Sequence, residues 1–147
     1  KRAKMIKAED GFVADYIHFG SKLGAIIGLK GKGDDAAVKL GKSIAMQVVA
    51  MNPQAIDRNG IPAEVIEKEK DIYRTVAKNE NKPEKITETI VNNKVERFYQ
   101  DNCLTEQEYI NESGKSIKDL IAEFNKKSGN TIEITSMVRF QLGEENK

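Results

Sequence analysis

Apolar and polar positions divide the chain into a strand-like start, four helical stretches and a strand-like end. Lys4-Met5-Ile6-Lys7-Ala8 predicts a short first strand. Phe12-Val13-Ala14-Asp15-Tyr16-Ile17-His18, rich in β-branched and aromatic residues after the turn signal Glu9-Asp10-Gly11, predicts a second. Leu23-Gly24-Ala25-Ile26-Ile27-Gly28-Leu29 is almost continuously apolar, as expected of a strand covered on both faces. Short connections make these three an antiparallel meander. After Gly31-Lys32-Gly33, Asp34 or Asp35 is placed to cap a helix whose stripe is Ala37, Leu40, Ile44, Val48 and Met51, stopped by Asn52-Pro53. Pro62 opens a helix from Ala63 to about Asn79, and a further helix runs from Glu84 to about Gln100. Their apolar positions form thin seams, Val65/Ile66, Ile72/Tyr73 and Val76 on the first and Ile86, Ile90, Val91, Val95 and Phe98 on the second, with charge on the other faces. Thin seams across a short joint predict an antiparallel helical hairpin over about 63–100, projecting from the body.

Ser116 caps a short helix with stripe Ile117, Leu120, Ile121 and Phe124, ended by Gly129-Asn130. The last element alternates, with Ile132, Ile134, Ser136, Val138, Phe140 and Leu142 on one face. The expected architecture is α+β: a small antiparallel sheet of three N-terminal strands plus the C-terminal strand, packed with helices.

Composition narrows the function classes. The 147 residues suffice for one domain with its own core. Lys+Arg 24 against Asp+Glu 23 leaves a net charge of +1, without the basic excess of a nucleic-acid-binding domain. No apolar run spans a membrane, and no signal-peptide pattern opens the chain. A single cysteine, Cys103, rules out an intrachain disulfide and points to a reducing compartment; one histidine and one cysteine do not build the usual zinc sites. The start at Lys1 suggests a piece of a longer protein.

Several apparent motifs have plainer readings. Gly41-Lys42-Ser43 resembles the end of a phosphate-binding loop, but Ala36 stands where that loop needs its first glycine, and Gly41 lies inside a helical stripe where its N–H is already used. Gly28, Gly31 and Gly33 are spaced wrongly for a dinucleotide loop. Asp34 and Asp35 suit cap and dipole roles better than acid–base catalysis. Cys103 has no local basic neighbour to make it a thiolate, which favours a packed, inert thiol. His18, ending a strand at a glycine turn, reads equally as a turn histidine bonded to backbone or as an anchor for a protein partner. Catalytic residues, cofactors and metals are therefore not expected. The choice lies between a protein-interaction module, which leads, and an enzyme whose site is completed elsewhere; an enzyme or ligand-binding domain of the same fold is the alternative from another class.

Six collinear segments resemble elongation factor Ts, specifically the C-terminal half of its core. They are Tyr16-Ile17-His18-Phe19-Gly20-Ser21-Lys22-Leu23-Gly24, the stretch from Ile44 to Pro53, Pro62 to Glu69, Lys82 to Ile86, Cys103-Leu104-Thr105-Glu106-Gln107, and Val138 to Glu144. The resemblance implies a core C-terminal subdomain over 1–147 with the hairpin as an insertion. It also implies a bacterial cytoplasmic or organellar guanine nucleotide exchange factor that docks on elongation factor Tu, chiefly on that protein's third domain, and promotes GDP release without covalent chemistry. His18, Tyr16, Gly20 and Lys22 are carried over as partner-binding residues, with His18 now placed at the interface. The family's Thr-Asp-Phe-Val motif, which disturbs the nucleotide site, does not occur in this chain, so the chain alone is expected to dock without triggering exchange. Asn92-Asn93-Lys94 stands where Glu-Gly-Arg is usual, and Glu108 where proline is usual. Self-pairing through this half of the core is the other association the resemblance implies.

Overall fold

The computed structural model describes residues 5–18, 20 and 22–141. The elements run β1 (Gly11–Ile17), β2 (Leu23–Lys30), α1 (Asp35–Met51), α2 (Ala63–Asn79), α3 (Glu84–Asn102), α4 (Ile117–Ser128) and β3 (Glu133–Gln141), with 3-10 turns at Arg58–Gly60 and Leu104–Glu106. The strands form one antiparallel sheet in the order β1-β2-β3, so the chain's last strand closes onto its first hairpin and the α+β expectation holds.

The sheet has three strands among the described residues, one fewer than expected. Met5–Ala8 carries no regular structure, and Lys4 lies outside the described residues. Met5 is 86% exposed, whereas Ile6 reaches to 3.2 Å from the point where a Cβ on Gly28 would stand. The Ile6 side chain therefore sits over Gly28 of the middle strand, and residues 5–8 are not paired as a strand. β2 is covered unevenly: Ala25, Ile27 and Leu29 are buried under the helices, while on the opposite face Gly28 is buried and Ile26 and Gly24 are half covered.

The uniform alternation expected of β3 is broken. Gly28 pairs with Ser136 but Leu29 with Ile134, leaving Thr135 as an extra residue in a bulge. Because side chains alternate with period two, one extra residue reverses the facing of everything beyond it. Ile132 and Ile134 join the main core before the bulge, and Met137 joins it after, while Arg139 Nε reaches the Val49 carbonyl of α1 at 3.3 Å. Ser136, Val138 and Phe140 share the helix-free face with Gly28, Ile26 and Gly24, their partners in register; Val138 and Gly28 are buried there, and the face is open toward β1. Leu142 lies outside the described residues.

Helix α1 packs on β1 and β2 through Ala37, Leu40, Gly41, Ile44 and Val48. Asp34 caps it, its Oδ1 accepting from the Ala37 amide at 2.8 Å. The helix ends with Asn52 in the left-handed region (φ 46°) before Pro53, and Met51, expected in the stripe, is 46% exposed in that last turn. Helix α4 starts in a capping box in which Ser116 and Asp119 satisfy each other's amides, and stops at Gly129 (φ 71°).

The hairpin forms as expected, α2 against α3, but with a thinner seam. Ile66, Ala77, Val91 and Val95 are buried, while Ile72, Val76 and Ile86 are 54%, 37% and 45% exposed. The covered side of α2 runs through Ile66, Tyr73 and Ala77, and the flanking branched residues lie outside it. The hairpin's base has a second core of its own, Ala55, Ile61, Ile66, Val91, Val95 and Cys103.

One cluster makes stability depend on acidity. Glu123 on α4 accepts hydrogen bonds from Lys115 and Lys127, which hold its carboxyl down at about 2. A depressed carboxylate contributes stability that is complete above its unfolded value near 4.5 and is lost as pH falls through its folded value. Urea midpoints should therefore decline between about pH 4.5 and 2, and Glu123→Gln should flatten part of that decline; an identical slope in the variant would remove Glu123 from it.

Candidate functional site

The sheet order leaves β1 as an outer strand, and the residues singled out in the sequence gather at its end and in the turn to β2. Tyr16 packs its ring against the main core and brings its hydroxyl to 3.2 Å from Nδ1 of His18. The imidazole tautomer sets which group donates in that bond: Nδ1 accepts from the hydroxyl when the ring hydrogen is on Nε2, and donates to it when the hydrogen is on Nδ1. The rings are tilted at 54° with centroids 6.1 Å apart, and the His18 amide donates to the Leu23 carbonyl at 2.9 Å. His18 is thus exposed but doubly held, and its ring bonds a tyrosine hydroxyl, where the plainer reading had backbone. Gly20 has φ 88° with no atom near the position of a Cβ, so the turn geometry alone calls for glycine. Lys22 is exposed just before β2. The site joins Tyr16 to His18 directly and gathers Gly20 and Lys22 in the same turn. Phe19 and Ser21 lie outside the described residues.

The decoys resolve by geometry. Gly41 sits within α1, where a Cβ would stand 2.7 Å from Ala14 Cβ and 3.1 Å from Leu29 Cδ1; it is glycine so that helix and sheet can meet. Ser43 Oγ bonds the Lys39 carbonyl in its own helix. Gly31 (φ 116°) turns the chain from β2, and Asn130 pins that turn through the amide and carbonyl of Lys32 at 3.0 and 2.8 Å. Asp35 follows the cap in the first turn of α1. Cys103 is fully buried, and burial pushes its thiol up to about 11, so it is unreactive at neutral pH. Among the described residues no group of three or more His, Cys, Asp or Glu could hold a metal ion, and no helix is long and apolar enough to cross a membrane.

Three features had escaped the sequence. The first is a groove beside β1. Val38 and Lys42 of α1 face Val13–Ile17 across a space of about 440 Å³, and Lys39, Lys42, Ser43 and Met46 surround the Tyr16 side of a neighbouring one of about 350 Å³.

The second is a knot on Arg58, in the linker. Its guanidinium binds Glu106 through Nε and Nη2 at 2.7–3.0 Å and Glu96 through Nη1 and Nη2 at 2.9 and 2.6 Å. It also lies 4.4 Å from the Tyr99 ring centre. One side chain thereby ties the linker, α3 and the turn after α3, and Arg58 holds the Glu96 carboxyl below its ordinary range.

The third is a buried amide network. Gln47 donates to the Glu108 carbonyl at 3.0 Å and accepts from the Ile110 amide at 3.0 Å, while Gln107 donates to the Asp101 carbonyl at 2.9 Å. It fixes the loop after the hairpin onto α1. Glu108, at the family's usual proline position, is absorbed there: its carboxylate accepts from the Gly114 amide and Ser113 hydroxyl, which hold it below the usual range. Lys94, from the other departing stretch, is exposed on α3 with Nζ 5.5 Å from the Tyr73 ring centre.

A family model described as Elongation factor TS matches residues 1–144. A protein of Chlorobium phaeobacteroides (strain BS1) named "Elongation factor Ts" is 45% identical over 143 residues, covering 97% of this chain and 50% of that protein. Proteins of the same name from Petrotoga mobilis and Fervidobacterium nodosum are 44% and 39% identical over 92% and 94% of this chain, and 71% and 73% of theirs. The chain thus spans about half the length of the Chlorobium relative.

Proposed function

Because the chain belongs to the elongation factor Ts family, we propose that it is the C-terminal core subdomain of a guanine nucleotide exchange factor for elongation factor Tu, and the half of it that docks. Work of this kind breaks no covalent bond. A factor that binds the nucleotide-free partner more tightly than the loaded one must, by linkage, weaken the partner's hold on GDP by the same factor. The bacterial cytoplasm or an organellar matrix is where such a reaction belongs.

The observation that carries the reading is the pairing of an exposed His18 with the Tyr16 hydroxyl on a turn continuous with an outer strand. An imidazole held by a tyrosine whose own ring is anchored in the core loses little freedom on docking, which suits an interface anchor. Gly20 and Lys22 complete the same surface, and the contact on elongation factor Tu is its third domain.

Pull-down with elongation factor Tu, whole and lacking its third domain, tests the reading. The chain should be retained by the whole protein and lost with the truncated one. Release of labelled GDP should stay at its unassisted rate, since the Thr-Asp-Phe-Val motif is not in this chain; rapid release would overturn the division of labour. His18→Ala should weaken binding roughly 10-fold by calorimetry while leaving the urea midpoint unchanged. Unaltered affinity in the folded variant would take His18 out of the interface.

Self-association is the second reading, and the open sheet face favours it. Val13 and Ile17, 44% and 64% exposed, lie on that face with Ile26 and Phe140, and a helix-free apolar face is a natural contact for a second subunit. Sedimentation of the chain alone separates the two.

A further inference from the structure

The geometry points to β1 as an open strand-pairing edge: we propose that a protein partner adds an extended segment to β1, with acidic side chains directed at Lys39 and Lys42. This rests on the docking reading above and names what the partner presents there.

Pairing parity establishes the edge. His18 donates to the Leu23 carbonyl and Gly31 donates to the Asp10 carbonyl, so the even-numbered residues of β1 exchange hydrogen bonds with β2. The amides and carbonyls of Gly11, Val13, Asp15 and Ile17 consequently point away from the sheet. The seven β1–β2 pairs run without a register shift. At the opposite margin, β3 is interrupted by the bulge at Thr135, a device that blunts an edge. A regular outer strand carrying exposed Val13 and Ile17 is an aggregation hazard unless something covers it.

The groove supplies the chemistry of the occupant. Side chains of an added strand alternate, one set toward α1 and the other toward the open face. On the α1 side they meet Lys39, Lys42 and the exposed Val38. No ion pair among the described residues involves either lysine, so both are available to carboxylates. On the open face the strand meets Val13 and Ile17, which suit apolar partners, with the exposed Asp15 between them, which suits a polar or basic one. The fitting segment alternates acidic and apolar residues. A second copy of this chain fits poorly, because two-fold pairing of β1 with β1 brings two sets of Lys39 and Lys42 together and offers Phe12, Ala14 and Tyr16 in place of acids.

Amide hydrogen exchange on the chain, free and with elongation factor Tu, tests the pairing. In the free chain the Ala14 and Tyr16 amides should exchange slowly and those of Val13, Asp15 and Ile17 quickly. In the complex the second set should slow at least 10-fold, and Lys39→Glu with Lys42→Glu should weaken binding by a similar factor without shifting the urea midpoint. Binding without slowing at Val13, Asp15 and Ile17 would overturn the strand addition and leave the docking reading standing. No binding at any concentration would overturn both. Slowing in the chain alone, with dimers in sedimentation, would overturn the acidic partner in favour of a second copy.

Discussion

Replacing Gln47 with leucine should lower stability by about 3 kcal/mol and free the loop that follows the hairpin. Gln47 is fully buried, and its side chain serves two backbone groups of that loop, the Glu108 carbonyl and the Ile110 amide, each at 3.0 Å. It also approaches the Gln107 amide oxygen at 3.4 Å. Leucine fills nearly the same volume, so the loss is not one of packing. It is that a donor and an acceptor are left without partners where water has little access, at roughly 1–3 kcal/mol each. Gln107→Leu should cost less, about 2 kcal/mol, since its own amide nitrogen serves a single carbonyl, that of Asp101. Urea denaturation gives the sizes, and exchange of the Ile110 amide gives the place. An unchanged midpoint with unchanged Ile110 protection would mean that the loop is held by something else.

Gly41→Ala should be as damaging, although alanine is the better helix former by about 1 kcal/mol. A Cβ at 2.7 Å from Ala14 Cβ and 3.1 Å from Leu29 Cδ1 forces α1 off the sheet, and overpacking of this kind costs roughly 1–3 kcal/mol even after the helical gain. The decisive measurement is the double variant. Ala14→Gly removes the methyl that the new one meets, so Gly41→Ala with Ala14→Gly should recover most of the loss. Additive losses would show that the collision is not the cause.

These two positions mark where the sequence is and is not legible. Gly41 can be read as helical from the stripe around it, which is enough to dismiss a phosphate loop; its reason for being glycine lies in Ala14, on another element. Gln47 left a signal that was passed over. It stands three residues after Ile44 and one before Val48, on the face that the stripe buries, and a polar side chain there must find partners. Those partners lie some sixty residues along the chain and carry no pattern of their own. Arg58 was less legible still, since its carboxylates come from 38 and 48 residues away. Caps, stops and seam helices were readable because each is decided within a few residues. The reversal inside β3 was not, because an extra residue in an alternating run leaves the alternation intact and changes only which side each half faces. The Tyr16–His18 pair was readable as a unit, two residues apart on one strand; the lysines beside it belong to α1 and are brought there by the fold.

The unlike margins of the sheet set the arithmetic of assembly. A layer with two clean borders accepts a neighbour on each, and every newcomer offers a fresh border, so growth has no natural end. Here one border is orderly and the other is crimped at Thr135. With β1 as the proposed pairing edge, such a layer is expected to take one guest and then stop, giving a one-to-one complex that does not continue into fibres.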